Sequence, residues 1–228
     1  MSVKKTLLLC AAGAAAVSMT AAMAGGFTQE PTAATADNGY YIEGHLGYAR
    51  QNYYDNRGWR AATNVGTVNN SNTSGGFAAG LDTGYKINRH FGVELGWFHL
   101  PDVNVQSSAT GSSYLTSWVL YLAGKYMMPL PLLNSTDIFF KLGVAYRSAT
   151  LPAAAQTLAA VNTGTSTYVR PMFATGLDYS FSDAWSGIFQ YAYFMGANNS
   201  FPFNTNRGAL STVAANVFTL GLGYKFTI

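Results

Sequence analysis

The chain has 228 residues and a formal charge of +3, with 10% charged and 49% hydrophobic residues. A soluble domain carries roughly 25% charged residues, so this composition leaves too few to cover a water-facing surface. The small net charge offers nothing to a nucleic-acid partner.

Lys4 and Lys5 precede an apolar run from Leu7 to Val17, and Ala22-Met23-Ala24 fits a small-x-small cleavage site. Residues 1–24 therefore read as a signal peptide cleaved after Ala24. The run is too short for a spanning helix, which needs about 20 apolar residues. Cys10 follows Leu9, where a lipobox wants a small residue, and it lies inside the run. It is expected to leave with the signal, which removes disulfide and thiolate chemistry from the mature chain. Losing Lys4 and Lys5 also lowers the formal charge from +3 to +1. Residues 25–39 are polar, rich in Ala and Thr and without period, and read as a periplasmic lead-in.

From residue 40 to residue 228 the pattern changes. Eight segments alternate small or polar with apolar residues: Tyr40–Arg50, Gly75–Ile87, Phe91–His99, Tyr114–Met128, Ile138–Ser148, Tyr168–Ser180, Trp185–Met195 and Ala214–Phe226. Strict alternation predicts strands, and these lengths suit the roughly 9–11 residues that a tilted transmembrane strand needs. Three connections are short: Asn88-Arg89-His90, Pro129–Asp137 and Phe181-Ser182-Asp183-Ala184. They alternate with long loops rich in Asn, Ser, Thr, Gly and Ala at 51–74, 100–113, 149–167 and 196–213. Short periplasmic turns alternating with long extracellular loops, on an even strand count, mark an all-β, antiparallel, up-and-down transmembrane barrel.

One face of each segment is apolar and ends in an aromatic residue, as in Tyr40, Tyr85, Tyr126, Tyr179 and Phe226. The opposite face collects Glu43, His45, Asp82, Lys86, Glu94, Lys125, Lys141, Arg147, Arg170, Asp178 and Lys225. Lipid outside and charge inside explain this division, because Arg or Lys at mid-bilayer on the lipid face costs about 2–4 kcal/mol. A register slip of one residue turns every charge outward, so the register is firmly set. Side chains fill the interior of an eight-stranded barrel, and a lone buried charge costs several kcal/mol. The inward charges therefore read as a salt-bridge plug. Six basic against four acidic residues leave a narrow, slightly cationic pore as the other reading.

In the first loop Arg57, Trp59 and Arg60 lie beside Tyr53 and Tyr54, an Arg/aromatic mixture frequent at binding surfaces. It is the candidate contact site for a surface or host ligand. His45, His90 and His99 are scattered, with no His-x-Ser pair and no His flanked by paired carboxylates at an upper strand end. Neither catalysis, nor a metal site, nor a cofactor is expected from them.

The repeated Gly-Leu-Asp endings at Gly80 and Gly176 and the final Gly221-Leu222-Gly223-Tyr224-Lys225-Phe226 carry a resemblance. With the signal ending Ala22-Met23-Ala24, the chain resembles the small eight-stranded OmpA-like/OmpX-like outer-membrane barrels. The resemblance implies the outer membrane of a Gram-negative bacterium, with lipid and lipopolysaccharide as surroundings. It also implies the barrel-assembly machinery as a partner during biogenesis. Family members with a periplasmic peptidoglycan-binding domain tether the envelope, whereas this chain is expected to lack that domain, its sequence ending at the last strand, and to be a monomer. The family roles it brings are envelope integrity, surface interaction through the loops, and passage of small solutes. A scaffold with a mostly plugged lumen is the preferred expectation, and a narrow porin-like channel is the alternative.

Overall fold

The computed structural model describes residues 38–53, 75–107, 111–133, 135–153, 162–202 and 209–226. The signal, most of the lead-in and the loop-one residues Arg57, Trp59 and Arg60 lie outside them. Among the described residues there are ten strands: β1 (Gly39–Gln51), β2 (Gly76–Lys86), β3 (Phe91–Ser107), β4 (Gly111–Pro129), β5 (Thr136–Leu151), β6 (Gly164–Ser180), β7 (Trp185–Phe194), β8 (Ala197–Pro202), β9 (Ala209–Thr212) and β10 (Ala215–Lys225). Eight close into one antiparallel barrel, with β10 hydrogen-bonded to both β7 and β1. The remaining two, β8 and β9, form a hairpin between β7 and β10.

The expected strands and their faces are those observed, and the differences fall at the extracellular ends. The second long loop is largely a continuation of β3 and β4, whose register shifts between Leu100 and Val103 around Pro101. A bulge is how a strand accommodates a proline that cannot donate to the ladder. β6 likewise begins at Gly164, four residues before the expected Tyr168. The loop from 196 to 213 contains the β8–β9 hairpin, which period-2 alternation in so short a segment did not announce.

The short turns are built by local side chains. The Asn88 Oδ1 accepts from the backbone N–H groups of His90 and Phe91 at 2.8 and 2.9 Å, and the Ser182 Oγ accepts from Trp185 N–H at 3.0 Å. Such Asx- and Ser-based turns satisfy backbone donors that the ladder leaves over. Tail and head meet at the same end, where Phe226 N–H donates to the Tyr40 carbonyl at 2.9 Å.

The outward face carries the exposed apolar residues Leu46, Leu81, Leu122, Leu142, Leu220 and Leu222. Aromatic pairs bound it at the short-turn end, with Tyr40–Tyr85 and Trp185–Tyr224 centroids 4.8 and 4.9 Å apart. Trp118–Tyr146 and Phe173–Tyr193 bound it at the other end, at 5.6 and 5.1 Å. From Tyr40 to Arg50 a strand tilted as barrels require rises about 25 Å, the height of the apolar band of such barrels. Leu220 is exposed at mid-height. Leu220→Arg should therefore cost about 2–4 kcal/mol of folding free energy in reversible unfolding from lipid vesicles. A change below about 0.5 kcal/mol would mean that this face does not meet lipid.

Candidate functional site: the layered lumen

β4 acts as a ruler for the lumen. Its inward residues, from the extracellular end downward, are Leu115, Ser117, Val119, Tyr121, Ala123, Lys125 and Met127, and all are buried. Each marks a level at which the other strands contribute partners.

The charged level lies around Lys125. Cross-strand register places Glu43 of β1 directly opposite Asp82 of β2, and Lys125 of β4 directly opposite Lys141 of β5. Glu94 of β3 joins the acidic side. Like charges in facing positions repel, so one wall is acidic and the adjacent wall basic, and relief comes from the opposite wall, across the lumen and at the β3–β4 seam, where Lys125 is a diagonal neighbour of Glu94. The Lys125 ammonium donates to Glu43 Oε1 at 2.6 Å and lies 3.4 Å from Glu94. Lys141 is in direct ion-pair contact with Glu94 and lies 3.3 Å from Asp82 and 3.7 Å from Glu43. His45 Nε2 stands between Asp82 at 3.1 Å and Glu43 at 3.5 Å. Two phenols complete the shell of Glu94: Tyr41 donates to Oε2 at 2.9 Å and Tyr121 to Oε1 at 2.6 Å. Below, the Phe139 ring lies 4.8 Å from the Lys125 ammonium and 5.1 Å from that of Lys141.

Glu43, His45 and Asp82 bring their ligand atoms within 4.8 Å of one another, a convergence that the scatter of histidines along the chain concealed. This donor set does not suit a cation, because the two ammonium groups already occupy its field: Lys141 approaches both carboxylates, and Lys125 reaches Glu43.

Apolar levels enclose the charged one. Beneath it Met127, Phe139 and Ile188 form a buried cluster. Above it Phe98, Tyr121 and Phe194 pack with centroids 6.0–6.3 Å apart, Tyr121 stacked on Phe98 and Phe194 tilted against both. Higher still, Arg147 is buried away from the carboxylates. Its guanidinium donates to the Val213 carbonyl at 2.6 Å and to the Gln51 side-chain oxygen. The Gln51 amide is in turn tied to the Pro101 carbonyl at 3.0 Å. At the mouth Tyr53, Val103, Leu115, Leu151, Phe201 and Leu210 form a second apolar cluster. Phe201 and Leu210 belong to the β8–β9 hairpin, which supplies the cover.

The sequence-derived list thus separates by depth. Glu43, His45, Asp82, Glu94, Lys125 and Lys141 converge in one network. Arg147 belongs to a separate polar level, and Arg170 shares the inward parity but is exposed, on the part of β6 that runs on past its pairing with β7. Asp178 is buried nearer the periplasmic end, opposite half-buried Asp137. Lys86 and Lys225 are half-buried at strand ends, while His90 sits in a turn, its Nδ1 3.0 Å from the Met127 carbonyl. Missing from the list were Tyr41, Tyr121, Phe139 and Gln51. The first two stand two and four residues from Glu43 and Lys125 on the same faces, a signal that the period of 2 contains.

The open side of the lumen explains how these long side chains fit. β6, β7 and β10 present Ala174, Gly176, Ala192, Gly221 and Gly223 inward. A Cβ on Gly221 would stand 2.6 Å from His45 Nδ1, and one on Gly96 only 2.2 Å from Asp82 and 2.3 Å from the Tyr121 ring.

Removing one partner from a buried network strands the other charge, at about 3–5 kcal/mol. Lys141→Met should lower stability by that amount in urea titrations of the folded barrel, because Asp82 then has no lysine within reach. Adding Glu94→Gln to it should recover part of the loss, because one of the three carboxylates left to the single remaining lysine is gone. Additive losses in the double variant would disprove the coupling. Gly96→Ala should destabilise by about 1–3 kcal/mol through overpacking at Asp82 and Tyr121, read by the same titration.

Comparison with known proteins agrees with this architecture. Residues 35–228 match the OmpA-like transmembrane domain. The chain is 27% identical over 219 residues to outer membrane protein A of Serratia marcescens, covering 92% of this chain but 55% of that protein. It thus spans about half the length of that relative. An uncharacterized protein of Coxiella burnetii is 26% identical over 237 residues, covering 90% and 92% of the two chains. Among solved structures, Neisserial surface protein A superposes with a TM-score of 0.53 at 12% identity, covering 82% of this chain and 97% of that one. OprG of Pseudomonas aeruginosa gives 0.52 at 16% identity, covering 85% and 98%. These two likenesses speak for the fold. The chain belongs to the OmpA-like transmembrane domain family, as an eight-stranded barrel of the Gram-negative outer membrane.

Proposed function

We propose that this barrel is a structural element of the envelope whose lumen is closed, and whose extracellular loops, including Arg57, Trp59 and Arg60, make surface contacts. The observation that carries the reading is the stacking of three kinds of closure on one axis. Lys141 has three carboxylates within reach, so ion pairs alone can exchange partners and let a path open. The Phe98–Tyr121–Phe194 level and the Phe201–Leu210 cover have no such alternative partners, and opening them exposes buried apolar surface to water. A scaffold needs this redundancy. A pore would have to break every level at once. The lumen groups are accordingly assigned to stability and not to conduction, and the scattered histidines to structure and not to chemistry.

Single-channel recording on the purified barrel in a planar bilayer tests the reading. The wild-type protein should be electrically silent while remaining heat-modifiable and protease-resistant. Phe201→Ala/Leu210→Ala should lower the unfolding temperature and still leave the bilayer silent, because the levels beneath remain shut. Steady, discrete openings in the wild type would replace the scaffold with a narrow channel for small solutes.

A further inference from the structure

We propose that the outward face of β1, β10 and β7 at their extracellular ends is a binding groove for one phosphorylated glycolipid of the outer leaflet, with Arg50 on the phosphate. The groove has a volume of about 630 Å³ and is lined by Arg50, Asn52, Tyr191, Tyr193, Asn216 and Phe218, among others. That is the size of sites that hold drug-sized ligands, about 300–1,000 Å³, and roomier than a single phosphate requires.

Cross-strand register orders the surface into three rows. The uppermost holds Arg50, Asn216 and Tyr193; the next holds Tyr48, Phe218 and Tyr191; the third holds Leu46, Leu220 and Phe189. Polar, aromatic and aliphatic rows thus follow one another down the same strands, in the order in which an amphiphile standing upright in the leaflet presents its headgroup, glycerol-like or sugar region and acyl chains. Tyr191 donates to Asn216 Oδ1 at 2.8 Å, which holds both side chains and keeps the carboxamide N–H donors in the row of the guanidinium. Arg50 occupies the lipid-facing parity of β1 and is exposed.

A permanent cation on this face is costly within the hydrocarbon, and it is tolerated at the interface, where an anion can meet it. The guanidinium fork matches two phosphate oxygens, while Asn52, Asn216 and Tyr193 offer partners to sugar hydroxyls. β7 ends at Phe194 and β10 begins at Ala215, and the β8–β9 hairpin between them packs Phe201 and Leu210 on the mouth cluster, so the ladder of β7 and β10 stops near the level of Arg50. A bulky headgroup can therefore settle over the groove from the side.

The test uses the full barrel extracted from outer membranes, delipidated in detergent and titrated with bisphosphorylated lipid A, with the bound fraction read by native mass spectrometry. One lipid A per barrel is expected, with affinity reduced about tenfold in Arg50→Gln and partly restored in Arg50→Lys. Arg170→Gln, at an exposed cation of inward parity on β6, should leave binding unchanged. Dephosphorylated lipid A and phosphatidylglycerol should each bind several-fold more weakly. Equal binding by Arg50→Gln overturns the proposal, as does equal binding of the phosphate-free lipid. Phosphatidylglycerol matching lipid A overturns the assignment to a glycolipid. If Arg50→Gln does not fold, Asn216→Ala is read in its place, and an unchanged affinity there overturns the proposal as well.

Discussion

Everything inside this barrel depends on the neutralisation of two like-charged walls across a space too narrow for water to do it. Glu43 faces Asp82, and Lys125 faces Lys141, so neighbours on each wall repel and no local arrangement of either hairpin relieves them. Relief requires the walls to face each other at ion-pair distance, which happens when the sheet from β1 to β5 curls toward itself. Curling and charge neutralisation are therefore one event energetically. The network fixes how the sheet curls as much as the backbone ladder does.

That demand sets the residues elsewhere. Long side chains converging from β1 to β5 need space, and β6, β7 and β10 supply it with Ala174, Gly176, Ala192, Gly221 and Gly223. Where the charges end, aromatic rings take over: Phe139 lies beneath the ammonium groups, and Tyr121 both stacks on Phe98 and donates to Glu94. Tyr121 joins the polar and apolar levels, so neither can be loosened alone. Outside, the same alternation turns leucines to lipid without any adjustment of the chain, because each strand serves two solvents with its two faces.

Much of this was legible in the sequence, because parity along a strand is a one-dimensional property. The alternation of Tyr40 to Arg50 or of Phe218 to Phe226 assigns faces directly, and the short turns assign the barrel's two ends. Depth is different. Arg147 and Arg170 carry the same parity and the same charge, yet one is buried against Gln51 and Val213 while the other is exposed. Height along the axis depends on strand tilt and stagger, which no single segment encodes. The convergence of Glu43, His45 and Asp82 depends on the β1–β2 register and stays hidden until the two strands are aligned. The β8–β9 hairpin was missed for another reason: its strands are short and cover the mouth, so they lack the two-solvent pattern that marks the others.

The position of the charged network along the chain bears on the order of assembly. Its six ionisable members lie between Glu43 and Lys141, so a chain delivered from its N-terminus has them all before β6 exists. The last strand arrives opposite groups already committed to one another. Where β10 meets β1, Gly223 stands beside Glu43 and Gly221 beside His45, and neither glycine brings a side chain to disturb them. The final seam can thus zip through backbone hydrogen bonds alone, with the costly removal of charge from water left to the first five strands.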